Sequence, residues 1–218
     1  MKGPIRSADL SSLRSGPQTG IRAVTVNWAP EKGWPPQCCV PAFLYAALKS
    51  NGVAVKPPAA LPARLGVRVS PGDANPFKLP VAIPPEPSGV TVAEITKRIT
   101  AILQQLNPDL GFRHLRLKEI PFELYEVFLE KALRIGLTVG VGVNYANFLS
   151  ARRSRDPTLH VFRVISVITN TVTLFDDSGE CKPGKVIENW VTIERAALSA
   201  DDGFWLVGPQ CDLLLAQI

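Results

Sequence analysis

The chain has 218 residues, of which 46% are hydrophobic and 20% are charged. This composition supports a buried core and excludes an intrinsically disordered chain, which would combine low hydrophobicity with high net charge. No run approaches the roughly 18 apolar residues of a transmembrane helix, and the first twenty residues lack the apolar centre of a signal peptide. The sequence therefore predicts a cytoplasmic protein with no membrane partner.

The formal net charge of +5 raises the question of nucleic-acid binding. The densest basic group, Arg152, Arg153 and Arg155, stands in a polar connector beside Asp156. A nucleic-acid interface usually combines a basic face with interleaved aromatic residues. The charges do not cluster in that way, so nucleic acid is not an expected partner.

Cysteine and histidine spacing predicts thiol chemistry or burial of the thiols, but no metal and no cofactor. The chain contains Cys38, Cys39, Cys181 and Cys211, with His114 and His160. These residues form neither a Cys-x-x-Cys nor a His-x-x-x-His pair, so an ordinary zinc site has little support. Without a signal peptide, the cysteines are expected to be reduced.

The first 50 residues divide into an arm, a strand and a helix. Residues 1–20 are rich in Gly, Pro, Ser and Arg without periodicity, which predicts a flexible arm ahead of a single domain over 21–218. β-branched alternation predicts a strand at Ile21–Asn27. The first clear helix is predicted over Val40–Ser50, where Asn51-Gly52 ends it.

A proline-rich insertion follows at about residues 56–87, which hold nine of the 20 prolines. Because proline fixes φ and lacks a backbone donor, this density predicts no regular helix and only marginal sheet. A loop of this length is either a passive cover over the body or a functional flap, and the sequence leaves both interpretations open.

The rest of the chain predicts helices first and strands later. Helices are predicted over 91–106, Pro121–Ile135 and Ile193–Ser199, and strands over Gly111–Lys118, Leu137–Val143, Leu159–Ile168, Val172–Phe175 and Phe204–Val207. This order favours an α+β fold over a doubly wound parallel sheet.

Cys39 stands at the start of the first helix. Proline is tolerated only in the first turn of a helix, so Pro41 places Cys39 at or next to the N-cap. Unpaired N–H groups and the positive end of the helix dipole favour a thiolate there. Cys38 is adjacent, so the identity of the nucleophile stays open between the two cysteines, although the proline spacing favours Cys39.

The predicted hairpin brings His160 and Asp176 together, because an antiparallel return places the end of the second strand beside the start of the first. A carboxylate that orients an imidazole, which in turn deprotonates a thiol, is the arrangement of nucleophilic triads. Asp177 is the fallback for Asp176, but the pleat directs it to the opposite face. His114 lies far from these motifs and is interpreted as structural.

Together these motifs resemble the papain-like cysteine peptidases, and most closely the branch of bacteriocin-leader-processing peptidases and their stand-alone relatives. That branch opens its catalytic helix with Cys-Gly-Pro-Ala, which Cys39–Ala42 matches with one change. A helix, a glycine and an apolar strand precede the histidine in the branch, as they do over Leu129–Asn144. The histidine then begins a strand, and Asp or Asn follows about 16 positions later, where Asp176 stands.

The resemblance implies a papain-like α+β fold, with a helical N-terminal half that carries the nucleophile and packs on a C-terminal antiparallel sheet. It implies a cysteine-dependent acyl-transfer enzyme, a peptidase or amidase acting on a peptide-like substrate. Cys39 would be the nucleophile, His160 the general base and then acid, and Asp176 the residue that orients the imidazole. An acyltransferase or thioesterase on the same fold is the alternative chemistry.

One departure from the family concerns the oxyanion hole. Papain-like enzymes place a glutamine about six residues before the nucleophile, and here that position is Gly33. Gln37 is the candidate replacement if the loop is rearranged. Since one oxyanion donor can contribute about 100- to 1,000-fold in rate, a catalytically impaired module that binds a peptide or a partner is the second function hypothesis. The sequence makes no prediction of the oligomeric state.

Overall fold

The structure is a computed structural model that describes residues 21–22, 34–35, 37–55, 59–83, 92–145, 159–179, 185–198 and 200–215. The arm predicted over 1–20, most of the strand predicted at Ile21–Asn27, Cys181 and the basic group at 152–155 lie outside these ranges.

The described helices are α1 (Cys39–Ser50), α2 (Ala60–Leu65), α3 (Val92–Leu106), α4 (Tyr125–Arg134), α5 (Trp190–Leu198) and α6 (Gln210–Leu215). The described strands are β1 (Ile21–Arg22), β2 (Leu110–Arg116), β3 (Thr138–Asn144), β4 (Leu159–Ile168), β5 (Thr171–Phe175), β6 (Lys185–Asn189) and β7 (Gly203–Pro209).

The strands form one antiparallel sheet in the order β2-β7-β3-β4-β5-β6. β1 pairs with Ser166 and Val167 of β4, beyond the part of β4 that pairs with β3. Helices dominate the N-terminal half and the sheet is built mainly from the C-terminal half, so the predicted α+β class is confirmed.

Helices cover both faces of the sheet. On one face, α1, α2 and α3 pack through residues such as Phe43, Leu61 and Ile99. On the other face, α4 and α5 pack through Leu129 and Ile193. β4 contributes to both cores because successive side chains of a strand point to opposite faces: Val161 joins the α1 face, and Phe162 joins the α4 face.

The prediction that the proline-rich insertion forms no helix is wrong, because α2 lies within it. Pro62 is the third residue of α2, where the missing N–H would have no partner within the helix in any case. Val69 and Val81 also form an isolated parallel bridge.

The observed elements also differ from the predicted ones in number and in where one helix begins. β6 and α6 were not predicted. The helix predicted from Pro121 begins instead with a 3-10 turn at Phe122–Leu124, followed by α4.

Within the described ranges, no helix is sufficiently long and apolar to cross a membrane.

Candidate active site

The first turn of α1 places Cys39 at the edge of the helical core. Cys39 is the first helical residue and Cys38 is the N-cap, so the helix begins one residue before the predicted start. The Ala42 N–H donates to the Cys38 carbonyl at 2.9 Å, which closes the first turn. Cys38 is fully buried, whereas 8% of Cys39 is exposed. The Cys39 thiol donates to the Leu159 carbonyl, with Sγ and O 3.8 Å apart, so the thiol lies at the start of β4.

The β4–β5 hairpin brings His160 and Asp176 together. Its register pairs Arg163 with Phe175, so the residue after Phe175 lies alongside the beginning of β4. His160 Nε2 and Asp176 Oδ1 are 3.2 Å apart, and both side chains are almost completely buried. His160, which pairs with Asp176, is thus the next residue in the chain after Leu159, whose carbonyl the Cys39 thiol contacts.

The His160–Asp176 contact has the distance of an ion pair, but its geometry falls short of a hydrogen bond. Catalytic hydrogen bonds are often poorly aligned before substrate binds. Nε2 is the ring nitrogen that faces the carboxylate. The ring also packs against Phe162 and Tyr145, with centroid distances of 4.5 and 5.0 Å.

Ser178 fixes the Asp176 carboxylate. Its backbone N–H and its hydroxyl both donate to Asp176 Oδ1, at 2.9 and 2.6 Å. An aspartate that accepts from the residue two positions later forms an Asx-turn. The Asp-Asp-Ser-Gly sequence carried a signal for this turn, but sequence reasoning did not assign a role to Ser178.

Asp177 lies on the opposite face and pairs with Arg163. The guanidinium donates to both carboxylate oxygens, with Nε to Oδ2 and Nη2 to Oδ1 at 2.9 Å, and both side chains are buried. Burial raises the pKa of Asp177 to about 6, and Arg163 opposes this shift. Asp177 therefore forms a structural ion pair. Arg163, an arginine within the otherwise apolar sequence of β4, could have indicated from the sequence that a buried carboxylate lies nearby.

Gln37 faces the proline-rich segment. Its Nε2 donates to Ser70 Oγ at 3.3 Å and to Asp73 Oδ2 at 3.1 Å. An amide nitrogen carries two hydrogens, so both have acceptors in this arrangement. Donation to an oxyanion at Cys39 would require at least one of these bonds to break.

His114 is also paired with an aspartate, which sequence reasoning did not predict. His114 Nε2 and Asp202 Oδ1 are 2.8 Å apart. The same oxygen accepts from Trp205 Nε1 at 2.8 Å and from the Gly203 N–H at 2.7 Å. The partners are 88 positions apart in the chain, so only the β2–β7 pairing reveals them.

Comparison with known proteins supports the fold. No protein-family model and no curated protein matches the chain. A solved structure of similar fold is the crystal structure of a protein from Bacillus anthracis inferred to be a C39-like peptidase (the family label is unrelated to the number of Cys39). The TM-score is 0.56, covering 88% of this chain and 98% of that chain, at 15% identity. The chain therefore has the papain-like α+β fold that the sequence predicts.

Proposed function

We propose that the protein is a cysteine-dependent acyl-transfer enzyme, a peptidase or amidase that acts on a peptide-like substrate. Two observations support this proposal: the Cys39 thiol contacts the Leu159 carbonyl, and His160, the next residue in the chain, pairs with Asp176. The similarity in fold to a protein described as C39-like peptidase adds to it.

In the proposed reaction, His160 Nδ1 takes the thiol proton and the Cys39 thiolate attacks the substrate carbonyl carbon. The C–S bond forms while the carbonyl oxygen gains charge, and the backbone N–H of Cys39 donates to that oxygen. The imidazolium then protonates the leaving nitrogen as the C–N bond breaks. Water attacks the thioester, His160 accepts its proton, and release of the acid regenerates the thiol.

Asp176 acts through His160 in this scheme. Its carboxylate holds the ring orientation and stabilises the imidazolium, while the two Ser178 bonds restrict the carboxylate itself. Cys39 at the first position of α1 benefits from the N–H groups and the dipole of the helix, which favour a thiolate. An acceptor other than water would make the same residues an acyltransferase, and a thioester substrate would make them a thioesterase.

Within the papain-like group, we place the protein nearest the leader-processing branch on the basis of Cys39–Ala42 and the spacing of His160 and Asp176. The corresponding substrate would be a peptide.

The first test is the rate of iodoacetamide labelling of each cysteine against pH, with the labelled residue mapped by mass spectrometry. Cys211 is exposed and provides an internal reference thiol. We expect Cys39 to label well below pH 8.5, the ordinary pKa of a cysteine thiol, and faster than Cys211 despite its burial.

Cys38→Ala and Cys39→Ala form the matched pair of variants. The rapid iodoacetamide labelling expected of the wild type (the fast phase) should persist in Cys38→Ala and disappear in Cys39→Ala. A Cys39 that labels slowly with an ordinary thiol profile would contradict the proposal and favour the binding module, which needs no activated thiol. Loss of the fast phase in Cys38→Ala alone would assign the nucleophile to Cys38 instead.

A further inference from the structure

The proline-rich segment contains a rigid turn at Ser70-Pro71-Gly72-Asp73, called here the 70–73 turn. The Asp73 N–H donates to the Ser70 carbonyl at 3.1 Å, and Gly72 has a φ of +87°. A type II turn requires a positive φ at its third position, which glycine adopts readily, and it favours proline at its second position. The local sequence therefore fixes the backbone of this turn.

The residues that flank the 70–73 turn bond to one another within the proline-rich segment, and Val69 and Leu79 pack into the core. Val69 is fully buried, its N–H donates to the Pro80 carbonyl, and its carbonyl accepts from Ala82, both at 2.9 Å. On the other side, the Asn75 side chain bonds to both the N–H and the carbonyl of Leu79 at 2.8 Å. The turn is thus held in place by the core that also contains α1.

Both ends of this turn bind Gln37, the residue before the N-cap of α1. The Gln37 amide donates to Ser70 Oγ and Asp73 Oδ2, across 33 and 36 positions of the chain. Gln37 also has a φ of +68°, a left-handed conformation that is unfavourable for a residue with a side chain and persists only where its surroundings hold it.

We propose that the 70–73 turn positions the candidate nucleophile through Gln37. The backbone angles of Gln37 set the direction in which the chain enters α1, and hence the direction of the Cys39 N–H and thiol. Gln37, Ser70 and Asp73 are positioning residues that act through Cys39. The inference rests on the proposed function, and it makes the proline-rich segment part of the active-site framework instead of a passive cover.

The direct test measures amide hydrogen exchange at Ala42 by NMR, because its bond to the Cys38 carbonyl closes the first turn of α1. Gln37→Ala and Asp73→Ala should each accelerate this exchange by about tenfold, with no change in the middle of α1. Asp73→Asn keeps an acceptor oxygen and should restore slow exchange. Asp109→Ala, which removes another exposed carboxylate, is the matched control and should have no effect.

Gln37→Gly separates the side chain from the backbone. Glycine adopts positive φ without strain but has no amide to bind the turn. If the bonds from the Gln37 amide to the 70–73 turn position α1, the Ala42 amide of the glycine variant should exchange as fast as that of Gln37→Ala. Wild-type exchange in Gln37→Gly would overturn the inference, since the backbone conformation alone would then suffice.

Labelling of Cys39 relative to Cys211 provides the chemical measurement. Asp73→Ala should slow the Cys39 rate by about 3- to 10-fold and move its pH midpoint upward, because a frayed first turn offers the thiolate fewer N–H donors. Asp73→Asn should rescue both values.

The two proposals fail in different ways. A wild-type Cys39 no faster than Cys211 contradicts the proposed function, while exchange at Ala42 still tests the positioning role. Unchanged exchange at Ala42 overturns the positioning role whatever the reactivity of Cys39. A reactive Cys39 whose rate the variants do not alter overturns it as well and leaves the proposed function intact.

Discussion

The described part of the sheet contains two histidine–aspartate pairs that differ in what surrounds them. In the His160–Asp176 pair the atoms are 3.2 Å apart, and one carboxylate oxygen accepts from the N–H and the hydroxyl of Ser178. In the His114–Asp202 pair they are 2.8 Å apart, and one carboxylate oxygen also accepts from an indole and a backbone N–H.

This difference teaches that a histidine–aspartate pair is not itself a sign of catalysis. Oδ1 of Asp202 links β2 to β7, because it contacts His114 on β2 and accepts from Gly203 and Trp205 on β7. His160 instead stands next to the strand residue that contacts a thiol at a helix N-terminus. What distinguishes the candidate site is the contact between the N-terminus of α1 and the first residue of β4, more than the presence of an ion pair.

The largest expected effect comes from replacing each histidine in turn. His160→Ala should slow labelling of Cys39 at pH 6 by roughly 300-fold, because an unassisted thiol of pKa near 8.5 is less than about 1% ionised there. His114→Ala should change that rate less than about twofold and instead lower the free energy of unfolding by about 1–3 kcal/mol. Equal slowing in both variants, with folding intact, would remove the distinction between the two pairs.

The neighbouring carboxylates of the hairpin give the next effect. Asp177→Ala leaves the buried Arg163 guanidinium with neither a charged partner nor the two acceptor oxygens of Asp177, and it should lower the free energy of unfolding by about 3 kcal/mol at pH 7, measured by urea denaturation. Cys39 should keep its labelling rate in the folded variant. A loss of reactivity without a loss of stability would show that Asp177, instead of Asp176, serves the thiol.

Asp177 also gives the wild-type protein a pH dependence. Since burial raises its pKa from 3.8 to about 6, the folded protein binds more protons than the unfolded chain between about pH 4 and pH 6. The contribution of this group to the free energy of unfolding therefore decreases as pH rises through that window, by up to roughly 3 kcal/mol. Unfolding curves of Asp177→Asn should lack this component, and an unchanged slope would contradict the assignment.

The smallest expected effect comes from Gly142→Ala, which disturbs the second pair without changing its chemistry. A Cβ at Gly142 would lie 2.0 Å from Asp202 Oδ2, so the carboxylate would have to move away from its three donors. The free energy of unfolding should fall by about 1–3 kcal/mol, while the labelling rate of Cys39 stays close to wild type. A strong loss of reactivity would instead couple Asp202 to the candidate site.

Local sequence patterns were sufficient to predict the elements that carry the candidate site. Pro41 restricts the start of α1, and a two-residue reversal at Thr169 and Asn170 joins β4 to β5, with Asn170 at a φ of +62°. Periodicity and turn chemistry act between near neighbours, so His160 and Asp176 could be brought together from the sequence alone. The alternation of side chains along a strand also predicted that Asp177 lies on the face opposite to Asp176, and in the structure it pairs there with Arg163.

The contacts between distant segments became apparent only once the chain was folded. β7 inserts between β2 and β3, which creates the His114–Asp202 pair, and the 70–73 turn reaches back to Gln37. Such contacts depend on sheet order and helix packing, which local propensity does not encode. The helix at Ala60–Leu65 was missed for a different reason. The density of prolines does not say where in a helix each one stands, and a proline in the first turn removes no hydrogen bond of the helix.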